Sequence, residues 1–520
     1  RMVREFFYQP RPDALGYSDG HTWDLGGGVR VRAHHLPGHT SGHCALIVEP
    51  QGVAFIGDID LTGFGPYYGD ATSNLTQFRR SLRAVRELEA SAWVTSHHRG
   101  VITNRAAFES ALQTFADHLD RRSERLYDML QGEPQRLEAL VTQRLVYPVG
   151  YEAAFVDDVE RRMILQHLQE AAEQAGLLLP LSLAAEGSCT IGGNLGTNAG
   201  GTQVLRFGNA RDLCLGLEVV TAQGEVWHGL TGLRKDNTGY DLRHLMIGSE
   251  GTLGIITAAT MKLYPLPAAQ LTAWAAVPSM AAAVQLLGLA HARLGPGLTG
   301  FEVMGQFALS LVDKHYPQQR VPLFKDHPYC VLLENSDSEN EAHARSQFEA
   351  LLEAAMEAGC VLDAVVAENI AQARALWHIR ESIPLAQAEE GLNIKHDISI
   401  PVSRIPEFVD ETDALLQREI PGVRLVNFGH LGDGNLHYNV QAPEHGQPQA
   451  FLRDWESQVN TLVFDQVAKF QGSISAEHGV GELKAHKLPH YKDPTALAMM
   501  RAIKQALDPH NLLNPRKVLA

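Results

Sequence analysis

The stretch Asn427-Phe428-Gly429-His430-Leu431-Gly432-Asp433-Gly434-Asn435-Leu436-His437-Tyr438-Asn439-Val440 reads as a β-hairpin. Arg424 to Phe428 alternates toward a strand, Gly432-Asp433-Gly434 supplies a turn, and Leu436 to Val440 alternates again. Leu436, Tyr438 and Val440 then share one face of the second strand, and His437 and Asn439 share the other. His430 closes the first strand across the turn, so two imidazoles and an amide can converge. Glu477-His478-Gly479 follows further along the chain. The set suggests a metal site of His430, His437 and Glu477, with His478 beside it as an acid/base candidate.

Upstream of the hairpin, Leu271 to Val277, Leu298 to Val303 and Tyr329 to Glu334 read as strands. Ser279 to Leu294 and Glu341 to Ala358 read as helices. That β-α-β-β-α order predicts a sheet with helices on one side. Trp377-His378-Ile379-Arg380-Glu381 and Lys395-His396-Asp397 lie between these elements and the hairpin. Arg380 and Lys395 are candidate carboxylate clamps, since arginine can grip a carboxylate with two parallel hydrogen bonds.

Further upstream, Ser188-Cys189-Thr190-Ile191-Gly192-Gly193-Asn194-Leu195-Gly196-Thr197-Asn198-Ala199-Gly200-Gly201 is crowded with glycine. Bare amides and short hydroxyls suit a pyrophosphate at close range. The dinucleotide spacing GxGxxG followed by a long helix is absent, so a nicotinamide cofactor is not indicated. Gly248-Ser249-Glu250-Gly251-Thr252-Leu253-Gly254-Ile255 is a second glycine-dense loop, entering a strand.

In the first part of the chain, Leu25 to Val31 reads as a glycine-kinked strand. Short strands at Cys44 to Val48, Val53 to Ile56 and Ala92 to Thr95 follow, and strand ends deliver His39, Asp58 and His97. Such a set on one rim of a sheet would suit zinc or iron. Residues 104 to about 169 read as mostly helical, in a packing role.

The bulk numbers set outer bounds. The 520 residues suffice for three domains, with 45% hydrophobic and 20% charged residues and a net charge of −16. That charge argues against a nucleic-acid surface. Five dispersed cysteines without CxxC spacing argue for a reducing compartment, and no apolar run is long enough to span a membrane. The expected location is the cytoplasm.

Three family resemblances organise these readings into an α+β, multidomain chain. Residues 1–168 resemble the metallo-β-lactamase-fold hydrolases in Pro37-Gly38-His39-Thr40-Ser41-Gly42-His43, Phe55-Ile56-Gly57-Asp58 and Ser96-His97-His98. The resemblance implies an αββα layer and makes His39, Asp58 and His97 metal ligands, Asp58 bridging two metals. The family's His-x-His-x-Asp-His run does not occur in the chain, so this layer reads as partial and the second metal site as incomplete. Residues 169–270 resemble the flavin domain of the vanillyl-alcohol oxidase type, in the Thr190-to-Gly201 run, Asp236-Asn237-Thr238-Gly239-Tyr240-Asp241-Leu242 and Gly248 to Thr257. It implies FAD, with Ser188, Gly192, Gly193, Asn194 and Gly200 facing the diphosphate and ribityl chain and Gly251 to Ile255 lying against the cofactor. This domain also reads as truncated, its upstream phosphate loop being absent.

Residues 271–520 resemble the C-terminal domain of the FAD-linked D-2-hydroxyacid dehydrogenases, which act on D-2-hydroxyglutarate, D-lactate or glycolate. That resemblance implies a divalent metal, most simply zinc, on His430, His437 and Glu477. Arg380 and Lys395 would bind carboxylates, Asn439 would orient substrate, and His478 would take the hydroxyl proton. Pro384 stands where D-2-hydroxyglutarate dehydrogenases often carry a substrate-binding threonine, and Arg516 where many relatives have glycine. The implied reaction passes a hydride from a D-2-hydroxy acid to flavin N5, giving the 2-oxo acid. Electrons then go to an electron-transfer protein or quinone, and a homodimer is one option for assembly. Two alternatives are a bifunctional enzyme with metallo-hydrolase activity and an inactive fusion lacking half of each N-terminal site.

Overall fold

The hairpin forms around the alternation that the sequence carries. The computed structural model describes residues 16–519 apart from 71, 98, 132–136, 152, 154 and 182–188. In it, strands Arg424–His430 and Asn435–Gln441 pair antiparallel across the 3-10 turn Leu431–Asp433. Leu436, Tyr438 and Val440 are buried in the main core, which fixes the register. Gly434 has φ +85° and a Cβ there would sit 2.5 Å from the Ile400 carbonyl, so the turn requires glycine.

The chain divides into two units, Arg1–Ala175 and Gly176–Ala520. In the second, an eight-stranded antiparallel sheet runs in the order Asp363–Val366, Ala269–Val277, Tyr329–Asp337, Leu298–Gly305, Arg424–His430, Asn435–Gln441, Asn393–Ile394. The strand Asp397–Ser399 also pairs with Asn435–Gln441. Helices cover this sheet on both faces, not on one as the element order predicts. Ala273, Ala275 and Val277 meet the helices Met280–Leu294 and Glu341–Glu357, while Trp274 and Leu332 meet Gln306–His315 and Ile370–Glu390. The reason is local: Leu271 to Val277 is buried at every position and apolar at all but Thr272, so that strand has no face to offer water. Ser279, Asn340 and Asn369 cap three of these helices, each side chain accepting a backbone N–H three residues on.

A three-stranded sheet of Ile255–Met261, Cys214–Val220 and Val226–Gly229 lies beside the glycine-rich segments. The run Ile191–Thr197 is a short helix rather than the open loop its glycines predict. Thr190 Oγ1 accepts the Gly193 N–H and caps it, and a Cβ at Gly192 would lie 3.0 Å from the Ile256 carbonyl. At Gly192 the bare backbone serves close packing of helix on strand.

In the first unit, six short strands form one sheet in chain order, Thr22–Gly26 to Val101–Ile102. Gly26, Gly27 and Gly28, all at positive φ, turn a hairpin between Thr22–Gly26 and Val29–His35 instead of kinking one strand. Ala45, Ile47, Ala54 and Trp93 form the core with Phe78, Phe108, Phe115 and Met163 from the helices Leu75–Glu87, Arg105–Met129 and Val156–Gln174. Polar contacts also bind that last helix. His167 Nε2 meets the Tyr68 hydroxyl at 2.6 Å and its Nδ1 meets Ser123 Oγ at 2.9 Å. Gln166 Oε1 accepts the Leu75 N–H at 2.6 Å, and Glu170 pairs with Arg79 Nε at 2.8 Å. Burial, helped by Arg79 and Arg122, pushes the His167 pKa down to about 3, so this imidazole is neutral at pH 7. Among the described residues, Cys44, Cys214, Cys330 and Cys360 form no disulfide, and no helix is long and apolar enough to cross a membrane.

Candidate active site

The paired strands carry His430 at the end of one and His437 on the other, on the face away from the Leu436 and Tyr438 core. Glu477 reaches them from the segment after the helix Pro448–Lys469. The ligand atoms of the three all lie within 4.8 Å of one another, and among the described residues no other three His, Cys, Asp or Glu side chains do so. His430 Nε2 is 3.4 Å from Glu477 Oε1, and His437 Nε2 is 3.9 Å from Oε2.

Behind this cluster stands Glu302, fully buried on the strand Leu298–Gly305, which places it opposite His430. One oxygen accepts His430 Nδ1 at 2.5 Å and the other accepts Arg380 Nε at 2.7 Å. Burial alone would raise the Glu302 pKa, but His430 and Arg380 hold it well below the usual carboxylate range. Burial would lower the His430 pKa, but Glu302 outweighs it and raises it. With Nδ1 engaged by a carboxylate, Nε2 is the ligating end, the arrangement that orients metal-binding histidines. His437 behaves oppositely: burial first, then Arg380 and His430, push it down to about 4, leaving a neutral imidazole with an available lone pair. Two imidazole nitrogens and a carboxylate on a half-buried rim fit zinc with an open position.

Arg380 lies on the helix Ile370–Glu390 with its guanidinium 5.2 Å from the Phe428 ring. Its Nη2 is buried without a hydrogen-bond partner. An unsatisfied cationic donor is costly inside a protein, and an entering carboxylate would satisfy it. Pro384 sits within the same helix and has no N–H to offer the Arg380 carbonyl one turn back.

The other expected site residues are placed differently. Asn439 is buried, and both ends of its amide are engaged: Oδ1 accepts the His396 N–H at 3.1 Å and Nδ2 donates to Gln387 Oε1 at 3.0 Å. Lys395 is exposed in the link between Asn393–Ile394 and Asp397–Ser399. His478 is exposed beside the cluster, its ring 6.3 Å from that of His437 and its Nδ1 3.7 Å from Asp397. Asp397 also accepts the N–H groups of Glu477 and His478, each at 2.9 Å, and Asn435 Nδ2 at 2.8 Å. Neither Glu302 nor Asp397 receives a role from the sequence. The available signals were an acid in the apolar run Phe301-Glu302-Val303-Met304 and another flanked by His396 and Ile398.

The glycine-rich segment borders the same cluster just after its helix. A Cβ added at Gly200 would come within 3.8 Å of Glu477 Oε1. Gly192 and Gly193 lie in Ile191–Thr197 with Asn194, whose Nδ2 contacts Cys189 Sγ at 3.3 Å. Gly251, at φ +72°, precedes Ile255, an exposed apolar residue that opens Ile255–Met261. Bare backbone on one side and an exposed isoleucine on the other fit a flat, phosphate-bearing cofactor such as FAD. Ser188 lies outside the described residues.

In the first unit, His39 and His97 converge on Asp58, with Nε2 atoms 3.5 and 3.1 Å from opposite carboxylate oxygens. His43 Nε2 accepts the Asp58 N–H at 3.0 Å. His98 lies outside the described residues.

Three family profiles match: the C-terminal domain of FAD linked oxidases over residues 266–518, an FAD binding domain over 159–229, and the metallo-beta-lactamase superfamily over 9–97. A D-2-hydroxyglutarate dehydrogenase of Xanthomonas citri pv. viticola is 42% identical over 384 residues, covering 73% of this chain and 79% of that one. The mitochondrial D-2-hydroxyglutarate dehydrogenase of Arabidopsis thaliana is 40% identical over 360 residues, covering 69% of this chain and 63% of its own length. The chain therefore spans less than two thirds of the plant relative. Among solved structures, p-cresol methylhydroxylase superposes with a TM-score of 0.52 at 15% identity, over 68% of this chain and 73% of that one. That likeness shows the vanillyl-alcohol oxidase type of fold.

Proposed function

The chain belongs to the FAD-linked oxidases that include the D-2-hydroxyglutarate dehydrogenases, and from that premise we propose that it oxidises a D-2-hydroxy acid to the 2-oxo acid at the His430, His437 and Glu477 cluster. The observation that carries this reading is the pairing of a three-ligand cluster with an unsatisfied, buried Arg380 Nη2. A cation site and a carboxylate site then share one rim, as a 2-hydroxy acid requires.

A divalent cation such as zinc, held by His430, His437 and Glu477, would supply Lewis acidity, and FAD, held beside Gly200 and Ile255, would supply the capacity to take up a hydride. The protein's own groups do the rest. Arg380 Nη2 takes a substrate carboxylate and fixes which end of the acid enters. Glu302 holds Arg380 and His430 in one geometry. His478 receives the hydroxyl proton, with Asp397 stabilising the imidazolium that results. Gly200 keeps the approach to Glu477 free of a side chain. Lys395, exposed two residues before Asp397, suits a second carboxylate, which favours dicarboxylic substrates such as D-2-hydroxyglutarate over D-lactate.

The test is anaerobic bleaching of the flavin band in the full chain on adding D-2-hydroxyglutarate or D-lactate. Wild type should bleach with one of them, and a His437→Ala variant that retains the flavin colour should not. Bleaching of that variant at the wild-type rate would refute the role of the cluster.

A further inference from the structure

The segment that presents Glu477 and His478 is held from two sides. From one side Asp397 accepts the N–H groups of both residues. From the other, Glu250 accepts the Val480 N–H at 2.6 Å and the Gly481 N–H at 2.8 Å, one on each carboxylate oxygen. Glu250 belongs to the second glycine-dense loop, not to the metal-bearing sheet. Its backbone N–H donates to the Gly196 carbonyl in the glycine-rich helix at 2.8 Å, and its carbonyl accepts Asn514 Nδ2 at 2.5 Å. One residue thus links the flavin cradle to the ligand-bearing segment.

Two further features show that this link is closely fitted. Glu250 has φ +52°, in the left-handed region that a residue with a Cβ adopts only under strain. Gly479 faces it at φ +73°, and a Cβ there would sit 2.6 Å from Glu250 Oε1, so no other residue allows the approach. A glycine at 250 would relieve the backbone, yet only a two-oxygen side chain can satisfy both N–H groups.

We infer that Glu250 is a positioning residue that couples occupancy of the flavin cradle to the geometry of Glu477, so that FAD and the divalent cation bind cooperatively. This rests on the metal-assisted reading above. FAD seated against the helix Ile191–Thr197 would hold Glu250 through the Gly196 carbonyl, and Glu250 holds the segment that carries Glu477. By linkage, the cation must tighten FAD by the same factor.

The experiment measures zinc affinity of the full chain, with and without FAD, by competition against a chromogenic chelator. In wild type, FAD should tighten zinc by about fivefold or more, the usual lower range of such couplings. In Glu250→Gly, which relieves the positive φ and whose fold is checked by circular dichroism, the factor should fall to one. Glu250→Gln, keeping one acceptor, should lie between. Equal zinc affinity with and without FAD in wild type overturns the inference, as does undiminished coupling in Glu250→Gly. A wild-type chain that takes up no zinc at all overturns the metal reading itself, and the inference with it.

Discussion

Glu302 Oε1 lies 2.5 Å from Nδ1 of His430, although the two residues are 128 positions apart in the chain. That contact sets the imidazole so that Nε2 faces Glu477, and the second Glu302 oxygen sets Arg380. A Glu302→Gln variant keeps the volume but turns an N–H₂ group toward one of these donors. Zinc affinity should fall by about 10–100-fold, the usual cost of removing the carboxylate behind a ligating histidine. Chelator competition measures it, and unchanged affinity would count against the orienting role.

Arg380 offers the only planar cation whose unsatisfied nitrogen is buried beside the cluster among the described residues. Arg380→Lys retains the charge but loses the second nitrogen and the stacking on Phe428. KM for the hydroxy acid should rise by roughly 10–100-fold, equivalent to one charge-assisted hydrogen bond of about 1.5–3 kcal/mol. Steady-state rates with an artificial electron acceptor test this, with the flavin spectrum as a control for folding.

His478 is exposed, so it can exchange its proton with solvent after each turnover. His478→Gln should lower kcat by about 10²–10⁴-fold, the usual contribution of a general base. Asp397→Asn should act in the same direction through His478, with a smaller loss of kcat.

Much of this site could be read from the chain, and the remainder could not for identifiable reasons. His430, His437 and the Leu436, Tyr438, Val440 face follow from alternation over a few residues, a local property. Glu302 and Asp397 act across strand pairings, with His430 and with the Glu477 segment, that no local pattern encodes. Asn439 was placed on the correct face, but its amide is engaged by His396 and Gln387, partners visible only in three dimensions. The two-sided sheet is not legible in the sequence because strand order alone does not say which face stays wet. The helix at Ile191–Thr197 is masked by its glycine content, which obscures the cap at Thr190.

Glu390 gives a pH-dependent test of the fold itself. Burial would raise its pKa, but Lys314, Arg424 and His315 hold it down at about 2. A carboxylate depressed in the folded state stabilises it above the unfolded pKa, near 4.5, and loses that contribution as pH falls toward 2. Glu390→Gln should therefore lower the urea midpoint at pH 7, by about 2 kcal/mol in stability. The gap from wild type should close as pH is lowered from 5 toward 2. A gap independent of pH would mean that packing, not charge, holds this contact.

The helix Val156–Gln174 belongs to the first unit by its packing, although a family match of the second begins inside it. The flavin-domain likeness begins at residue 159, inside this helix, yet His167, Gln166 and Glu170 spend their polar atoms on Tyr68, Leu75 and Arg79. A truncation ending at residue 158 would strip the first unit of a wall of its own core, since Met163 packs there. The match to the flavin-binding family and the compact unit therefore have different borders, one beginning at residue 159 and the other ending at Ala175.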